Sequence, residues 1–178
     1  MHRPPAPRRW FAWPLLLAAF PAAAEVRDAA AAGFTVENAR TVAGPPDAVW
    51  QALVGEVDRW WSKDHSWWGA ASRLTLDARA GGCFCETGAD GRQAMHMQVV
   101  FVDPGRTLRL TGGLGPLQGM GLHGAMEWRL EPAEGGTRVT LHYRAGGYVP
   151  GGLEKLAPAV DGVLALQLER LAAHLAPR

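Results

Sequence analysis

Several stretches of the chain alternate apolar and polar residues. Met126, Trp128 and Leu130 alternate with Glu127 and Arg129. Successive side chains of a strand point to opposite faces, so this pattern predicts an antiparallel sheet with one buried and one solvated face. Turn-forming residues separate the stretches. Seven strands are predicted, approximately at Phe34–Val42, Arg73–Ala78, Gly82–Thr87, Ala94–Val102, Thr107–Thr111, Leu122–Glu131 and Thr137–Arg144.

The end of the chain has a helical pattern instead. Between Leu153 and Leu175, leucine and valine residues recur every three or four positions, which predicts a long amphipathic helix. Pro158 either kinks this helix or marks the start of its regular part. Two shorter segments after the first strand, Asp47–Val54 and Asp58–Trp68, are predicted to be helical, the second helical or irregular. The order is strand, two short helices, six strands, long helix, which indicates an α+β fold.

The first 24 residues have the three parts of a secretory signal peptide. Arginines precede an apolar run, Trp10–Phe20, which a small-residue segment ending at Ala24 follows. The run is about half of the ~20 residues needed to span a bilayer, so a membrane anchor is the less favoured alternative. We expect residues 1–24 to be a cleaved leader, residues 25–33 a flexible lead-in and residues 34–176 one domain. The mature protein is then periplasmic or secreted, without stable membrane insertion.

Composition narrows the classes of function. The chain has 178 residues with a formal net charge of +1 and two cysteines. A balanced charge argues against nucleic-acid binding by bulk electrostatics, and two cysteines exclude a disulfide-rich scaffold. No motif for a cofactor is present, so no cofactor is expected.

The predicted elements imply a cavity. A seven-stranded antiparallel sheet of this length curves, and one helix about 10–12 Å across covers its concave face only partly. The space between sheet and helix is then a pocket with apolar walls and a few polar groups, as in most small-molecule sites.

Hairpin spacing assigns the faces of the middle strands. A two-residue turn at Asp90-Gly91 places Glu86 opposite Met95 and Cys85 opposite His96, and a turn after Asp103 continues the pattern. A slip of one residue would reverse every side chain. The predicted outward set is Cys83, Cys85, His96 and Gln98. The predicted inner set is Phe84, Glu86, Met95, Met97, Val99, Phe101, Leu108 and Leu110.

Glu86 is the first candidate for chemistry. A carboxylate among Phe84, Met95 and Met97 is desolvated and has a raised pKa unless a cation lies next to it. It would then orient the polar end of a ligand or serve as a general acid or base, with Tyr143 as partner. The alternative is that Glu86 lies near a strand end and reaches solvent or an arginine.

Trp60, Trp61, Trp67 and Trp68 form an unusual cluster. Tryptophan combines a large apolar body with one hydrogen-bond donor, which suits a ligand mouth or a protein interface. Structural packing is the equal alternative. Neighbouring side chains point in different directions, so at most one of Trp60 and Trp61 is expected to line the cavity.

The two cysteines with His96 permit a different site. Cys83 and Cys85 share a strand face with His96 opposite Cys85, a set that suits zinc or copper. No fourth ligand is evident, so no metal is expected. A disulfide across an extended strand is strained, because alternate Cα atoms are ~6.5–7 Å apart. Free or partly buried thiols are therefore the favoured expectation.

Residues 112–122 are rich in glycine but lack the Lys-Ser/Thr ending of a phosphate loop. Leu114, Leu117 and Met120 instead suggest a mobile apolar lid over the cavity. The alternative is a packed connection between strands.

The order of elements resembles the helix-grip fold of START-like, birch-pollen-allergen-like and polyketide-cyclase-like proteins, the SRPBCC group. Within it, Ala80–Glu86 (AGGCFCE) and Val99–Leu108 (VVFVDPGRTL) resemble the heat-shock-ATPase-activator-like branch and its exported bacterial relatives. The resemblance covers roughly residues 34–175. It implies a seven-stranded curved antiparallel sheet wrapped around a long C-terminal helix, and binding of lipids, hormones or polyketides. Only some members of the superfamily are enzymes.

We therefore expect an exported protein that binds a small apolar or amphipathic molecule, and favour this over an enzyme. The alternatives are a cyclase- or hydrolase-type enzyme using Glu86, and an interaction protein using residues 60–68. The sequence does not determine the oligomeric state. The expected ligand-binding residues are Trp60, Trp67, Phe84, Glu86, Met97, Val99, Phe101, Leu110, Leu117, Met126, Trp128, Leu141, Tyr143, Leu164 and Leu168.

Overall fold

A computed structural model describes residues 23–177. Residues 1–22 of the expected leader lie outside this range. The chain forms one curved antiparallel sheet of eight strands in the order β1-β2-β8-β7-β6-β5-β4-β3. The strands are β1 (Ala23–Ala30), β2 (Gly33–Val42), β3 (Ser72–Leu76), β4 (Cys83–Gly88), β5 (Gln93–Asp103), β6 (Thr107–Thr111), β7 (His123–Ala133) and β8 (Gly136–Gly146).

The predicted helices lie where the sequence places them, with shifted ends, and one short helix, within the glycine-rich segment 112–122, is not predicted. The predicted Asp47–Val54 helix is α1 (Pro46–Gly55), and the Asp58–Trp68 segment is α2 (Val57–Trp60) followed by two 3₁₀ turns. The other helices are α3 (Pro116–Gly119) and α4 (Ala157–Leu175). Within residues 23–177, no helix is both long and apolar enough to cross a membrane.

The long helix starts later than its apolar pattern. The spacing predicts a start at Leu153, but α4 begins at Ala157 with Pro158 in its first turn. Proline suits that position because the first-turn N–H groups have no intrahelical partner. Of the two alternatives for Pro158, the start of the regular helix is confirmed.

Strand β1, which is additional to the seven predicted strands, lies where a flexible lead-in is expected. The expectation for this segment is therefore wrong. The expectation of a flexible lead-in at residues 25–33 rests on the small residues Ala29–Gly33. In the structure, β1 pairs with β2, with Val26 opposite Val36. Arg27 on β1 forms an ion pair with Glu37 on β2, its Nη2 3.0 Å from Oε1. The backbone groups along the free edge of β2 thus gain partners that sequence preference does not indicate.

The core lies between the inner face of the sheet and helices α1, α2 and α4. Alternation is confirmed in the central strands, where Met126, Trp128 and Leu130 on β7 are all buried. Helix α4 packs against β1 and β2 and contacts α1 and α2. The concave face is partly filled in this way, and a cavity remains beside α4.

Candidate functional site

A cavity of about 360 Å³ lies between helix α4 and three other parts of the chain. These are the segment 61–67, residue His96 on β5 and the glycine-rich loop around α3. Its volume lies within the ordinary range of small-molecule sites. Among the described residues, no lysine or arginine lines it. The lining residues are Trp61, Asp64, His65, Ser66, Trp67, His96, Leu114, Gly115, Pro116, Leu117, Met120, Leu156, Ala159, Val160, Val163 and Leu164.

Helix α4 supplies an apolar wall. Leu156 immediately precedes the helix, and Val160, Val163 and Leu164 follow at spacings that place them on one side of it. Leu164 is fully buried, whereas Val160 and Val163 are half-buried. The helical pattern therefore serves two purposes, since its deeper leucines fill the core and its amino-terminal turns border the cavity.

The segment 61–67 forms the opposite wall and is fixed by Glu86. One carboxylate oxygen of Glu86 accepts the backbone N–H of Trp67 at 2.9 Å, and the other accepts that of Trp68 at 3.0 Å. Trp61 is buried and donates its indole N–H to the carbonyl of His65 at 3.1 Å. Because an irregular segment cannot satisfy its own backbone, these bonds determine where its side chains lie.

Glu86 is fully buried and also contacts His96, whose Nε2 lies 2.9 Å from Oε2. Burial raises the pKa of Glu86, but the Ser72 hydroxyl, the two tryptophan amides and His96 lower it, and the net pKa lies below the usual value. Burial lowers the pKa of His96, more than Glu86 raises it. The pair is therefore a carboxylate beside a neutral imidazole, and Nε2 must carry the proton that it donates to Glu86.

A β-bulge brings His96 to the inner face. Phe84 pairs with Met97 as predicted, but Cys85 then pairs with Met95, so His96 is the extra residue on β5. A bulge redirects the side chain of the inserted residue. The predicted pairs Glu86–Met95 and Cys85–His96 are therefore wrong. His96 is buried instead of outward, and Met95 is exposed instead of inward.

A second bulge moves Phe101 outward. Val99 pairs with Leu110 as predicted, whereas Phe101 pairs with Arg109. Phe101 is 43% exposed, and the guanidinium carbon of Arg109 lies 5.1 Å from its ring centroid. The predicted inward position of Phe101 is therefore wrong, and this residue lies on the outer face, away from the cavity.

The glycine-rich loop forms the third wall. Tyr143, fully buried beneath it, accepts the backbone N–H of Leu114 through its hydroxyl at 3.3 Å. Gln118 donates to the carbonyl of Met95 at 2.6 Å. Burial raises the pKa of Tyr143, so its hydroxyl stays protonated. The loop thus covers the cavity through specific anchors, and Tyr143 is one of them instead of a ligand contact.

The remaining predicted site residues separate into three groups: residues that line the cavity, Glu86, and residues of the core. Trp67, Leu117 and Leu164 line the cavity. Glu86 lies behind His96 without lining the cavity, so it positions His96 and the segment 61–67. Trp60 donates its indole N–H to the carbonyl of Ala52 at 3.0 Å and belongs to the core. The other members packed in the core are Phe84, Met97, Val99, Leu110, Met126, Trp128, Leu141 and Leu168.

The candidate metal site is absent from the described residues. Cys83 and Cys85 form a disulfide with Cα atoms 5.4 Å apart, closer than in a regular extended strand. The expectation of free thiols is therefore wrong. Strand β4 is contracted at the point where its pairing with β5 is irregular, between Phe84 and Cys85. The Cα distance therefore lies in the range that a disulfide spans. Both sulfurs are in the disulfide and His96 Nε2 is hydrogen-bonded to Glu86, so the set Cys83, Cys85 and His96 has no thiolate to offer a metal.

Sequence patterns did not identify several lining residues. His96 was assigned to the outer face because no local signal marks a bulge. Trp61 and Leu156 were not named as ligand contacts, although the limit of one cavity-lining residue among Trp60 and Trp61 is compatible with the structure. The apolar spacing of α4 was the one signal that could have found Val160 and Val163.

Comparison with known proteins places this geometry in a family. A family model described as polyketide cyclase / dehydrase and lipid transport matches residues 33–176. A search of curated proteins finds no significant match.

Solved structures show the same fold at low sequence identity. Protein CV1439 from Chromobacterium violaceum is 19% identical with a TM-score of 0.57, covering 81% of this chain and 98% of its own. CalU16 from Micromonospora echinospora is 18% identical with a TM-score of 0.57, covering 88% and 86%. Ms6760 from Mycobacterium smegmatis is 16% identical with a TM-score of 0.53, covering 86% and 99%. From the family match over most of its length, this chain belongs to the polyketide cyclase / dehydrase and lipid transport family.

Proposed function

We propose that this protein binds a small apolar or amphipathic molecule in the cavity beside α4. The observation that supports this most is the cavity itself, about 360 Å³ with predominantly aliphatic and aromatic walls. Burying an apolar molecule there is favourable by about 25 cal/mol for each Å² removed from water. Membership in a family described by lipid transport agrees with this class of ligand.

The walls are built to persist without a ligand. Glu86 fixes the segment 61–67, and Tyr143 and Gln118 fix the glycine-rich loop. A cavity that is largely preformed costs little ordering on binding, which favours affinity. Binding of a small molecule therefore explains this geometry better than a protein interface that forms only against its partner.

The interaction hypothesis has less support from the tryptophan cluster. Trp60 and Trp61 are buried, and Trp68 is half-buried. Trp67, at 46% exposure, borders the cavity mouth. One exposed indole beside a cavity is more typical of a ligand entrance than of an extended protein interface.

Naphthalene, a neutral apolar probe, tests the proposal. Titrated into ¹⁵N-labelled protein, it should shift the amide signals of cavity-lining residues in a saturable manner. Ala159 on α4 faces the cavity, so Ala159→Phe should fill part of it and weaken binding by about tenfold or more. Ala173→Phe, exposed on the same helix and away from the cavity, is the matched control and should bind as the wild type does. Equal binding by both variants, or shifts spread over the surface, would refute the proposal.

We also propose that the protein functions outside the cytoplasm. The leader-like sequence of residues 1–24 and the Cys83–Cys85 disulfide support this, since disulfides persist in oxidising compartments. Cleavage after Ala24 would keep most of β1, including the Val26–Val36 pair. Mass measurement of the protein from fractionated host cells should find a chain starting at Glu25 in the exported fraction. A full-length chain confined to the cytoplasm would contradict export.

A further inference from the structure

His96 brings one polar group to an otherwise apolar interior. Its Nε2 donates to Glu86, and its ring packs against Phe84 with ring centroids 5.0 Å apart. Among residues 23–177, Nδ1 has no hydrogen-bond partner, and it is not among the polar atoms sealed from solvent. His96 is one of the residues that line the cavity, and Nε2 is engaged by Glu86, so Nδ1 is the ring nitrogen left for a ligand.

The other polar groups of the wall are engaged or lie at the mouth. The Ser66 hydroxyl donates to the carbonyl of Lys63 at 2.8 Å, and the Trp61 indole donates to His65. The side chains of Asp64 and His65 are exposed. The unprotonated Nδ1 of His96 is thus the acceptor that an inserted ligand meets in the interior, and a bound hydroxyl is the natural partner for it.

The charges around the cavity disfavour an anion. Glu86 is an ionised carboxylate directly behind His96, and Asp64 stands at the mouth. No lysine or arginine among the described residues lines the cavity to offset them. A carboxylate entering this site would meet like charge and a ring nitrogen with a lone pair, and it would lose its hydration without a replacement donor.

We propose that this site, if the binding function above holds, selects neutral apolar molecules bearing one hydroxyl group, phenols or alcohols, and rejects fatty acids and other carboxylates. The hydroxyl donates to Nδ1 of His96, and Glu86 fixes the tautomer that makes Nδ1 an acceptor. The apolar body of the ligand lies against α4 and the loop around α3. Glu86 acts here as a positioning residue.

Three probes of nearly the same shape test this selection: naphthalene, naphthol and naphthoate. Their dissociation constants are compared by NMR titration at neutral pH. One good hydrogen bond within an apolar site should make naphthol bind about five- to tenfold more tightly than naphthalene. Naphthoate should bind more weakly than naphthalene. In long-range ¹⁵N spectra of the imidazole, the Nδ1 signal of His96 should shift with naphthol and stay in place with naphthalene.

Two variants separate the role of the ring from a structural role. His96→Phe keeps an aromatic ring at this position but removes both nitrogens, so naphthalene should bind as before and the preference for naphthol should disappear. His123→Phe changes an exposed histidine outside the cavity and should keep the preference. Thermal unfolding and the amide spectrum of each variant establish that it is folded.

The outcomes distinguish the two proposals. If naphthalene and naphthol both fail to bind, the binding function is refuted. If naphthalene binds but naphthol gains nothing, if naphthoate binds best, or if folded His96→Phe still prefers naphthol, the cavity is a ligand site and its selection by His96 is refuted.

Discussion

Glu86 and Trp67 join the sheet to the cavity wall: the carboxylate on β4 accepts the backbone N–H of Trp67 at 2.9 Å, although 19 positions separate them. Glu86 also accepts from Trp68 and His96. Replacing it with glutamine puts an amide N–H₂ where one of these donors points, so a buried donor is left unpaired. We expect Glu86→Gln to lower the free energy of unfolding by about 1–3 kcal/mol in urea titrations.

A matched control for this change is Glu131→Gln. Glu131 is exposed on β7, so the same loss of charge there should alter stability by no more than about 0.5 kcal/mol. The tryptophan emission of Glu86→Gln should shift to longer wavelength because the segment containing Trp61 and Trp67 loosens. Equal stability of the two variants would contradict the positioning role of Glu86.

The protein should lose stability as pH falls, in two stages. The pKa of folded His96 lies below 6.5, chiefly because of burial, so below pH 6.5 the unfolded chain takes up this proton first. The pKa of folded Glu86 lies below 4.5, so the stability from its hydrogen bonds is complete above 4.5 and is lost as pH falls through the lower folded value. Burial also lowers the pKa of His142, which adds to the first stage.

Urea unfolding of wild type and His96→Gln between about pH 7.5 and 5 isolates the first stage. The variant should lose less stability over this interval than the wild type, and what remains should be due to His142. A slope in His96→Gln as steep as in the wild type would show that His96 is not held neutral by burial.

Much of the fold follows from local pattern, and the main error in the sheet has a physical cause. Alternation alone identifies the inner faces of β6, β7 and β8, because no bulge interrupts the pairing of β6 with β7 or of β7 with β8. Strand β1 is not predicted, because its pairing with β2 depends on the free edge of β2 and not on residue preference. Whether the edge of a strand is free depends on the tertiary structure, which the sequence of a single segment does not show.

The candidate site is less predictable because two bulges determine it. Period-two counting is correct at Met97 and Val99, fails by one residue at Met95, and fails again at Phe101. Each bulge reverses the faces beyond it, so His96 enters the interior and Phe101 leaves it. The sequence identifies Glu86 as a candidate, but it does not place His96 at the cavity.

The Cys83–Cys85 disulfide should stabilise the protein only modestly. In the chain-entropy account, a bridge stabilises by restricting the unfolded chain, and with a sequence separation of 2 the loop is very short. Cys83→Ser/Cys85→Ser should therefore cost about 1–2 kcal/mol. Native protein should resist alkylation until it is reduced and then take up two labels, as intact mass would show. Two labels without reduction would contradict the bridge.

Tyr143 should control how firmly the glycine-rich loop covers the cavity. Its hydroxyl accepts the N–H of Leu114, while its ring packs edge-on against Phe34 with centroids 6.3 Å apart. Tyr143→Phe keeps the ring and deletes the acceptor, so the core stays filled and the loop loses one anchor, at a cost of about 1 kcal/mol. A looser cover shortens the residence of a bound molecule more than it slows entry, because affinity changes in related complexes lie mostly in the dissociation rate. NMR exchange measurements should therefore show faster naphthalene release and faster hydrogen exchange at the Leu114 amide. The other tyrosine of the chain, Tyr148, is 83% exposed, so Tyr148→Phe tests the same chemical change without the anchor and should release the probe at the wild-type rate. If both variants release naphthalene equally, the contact between Tyr143 and Leu114 does not govern the cover.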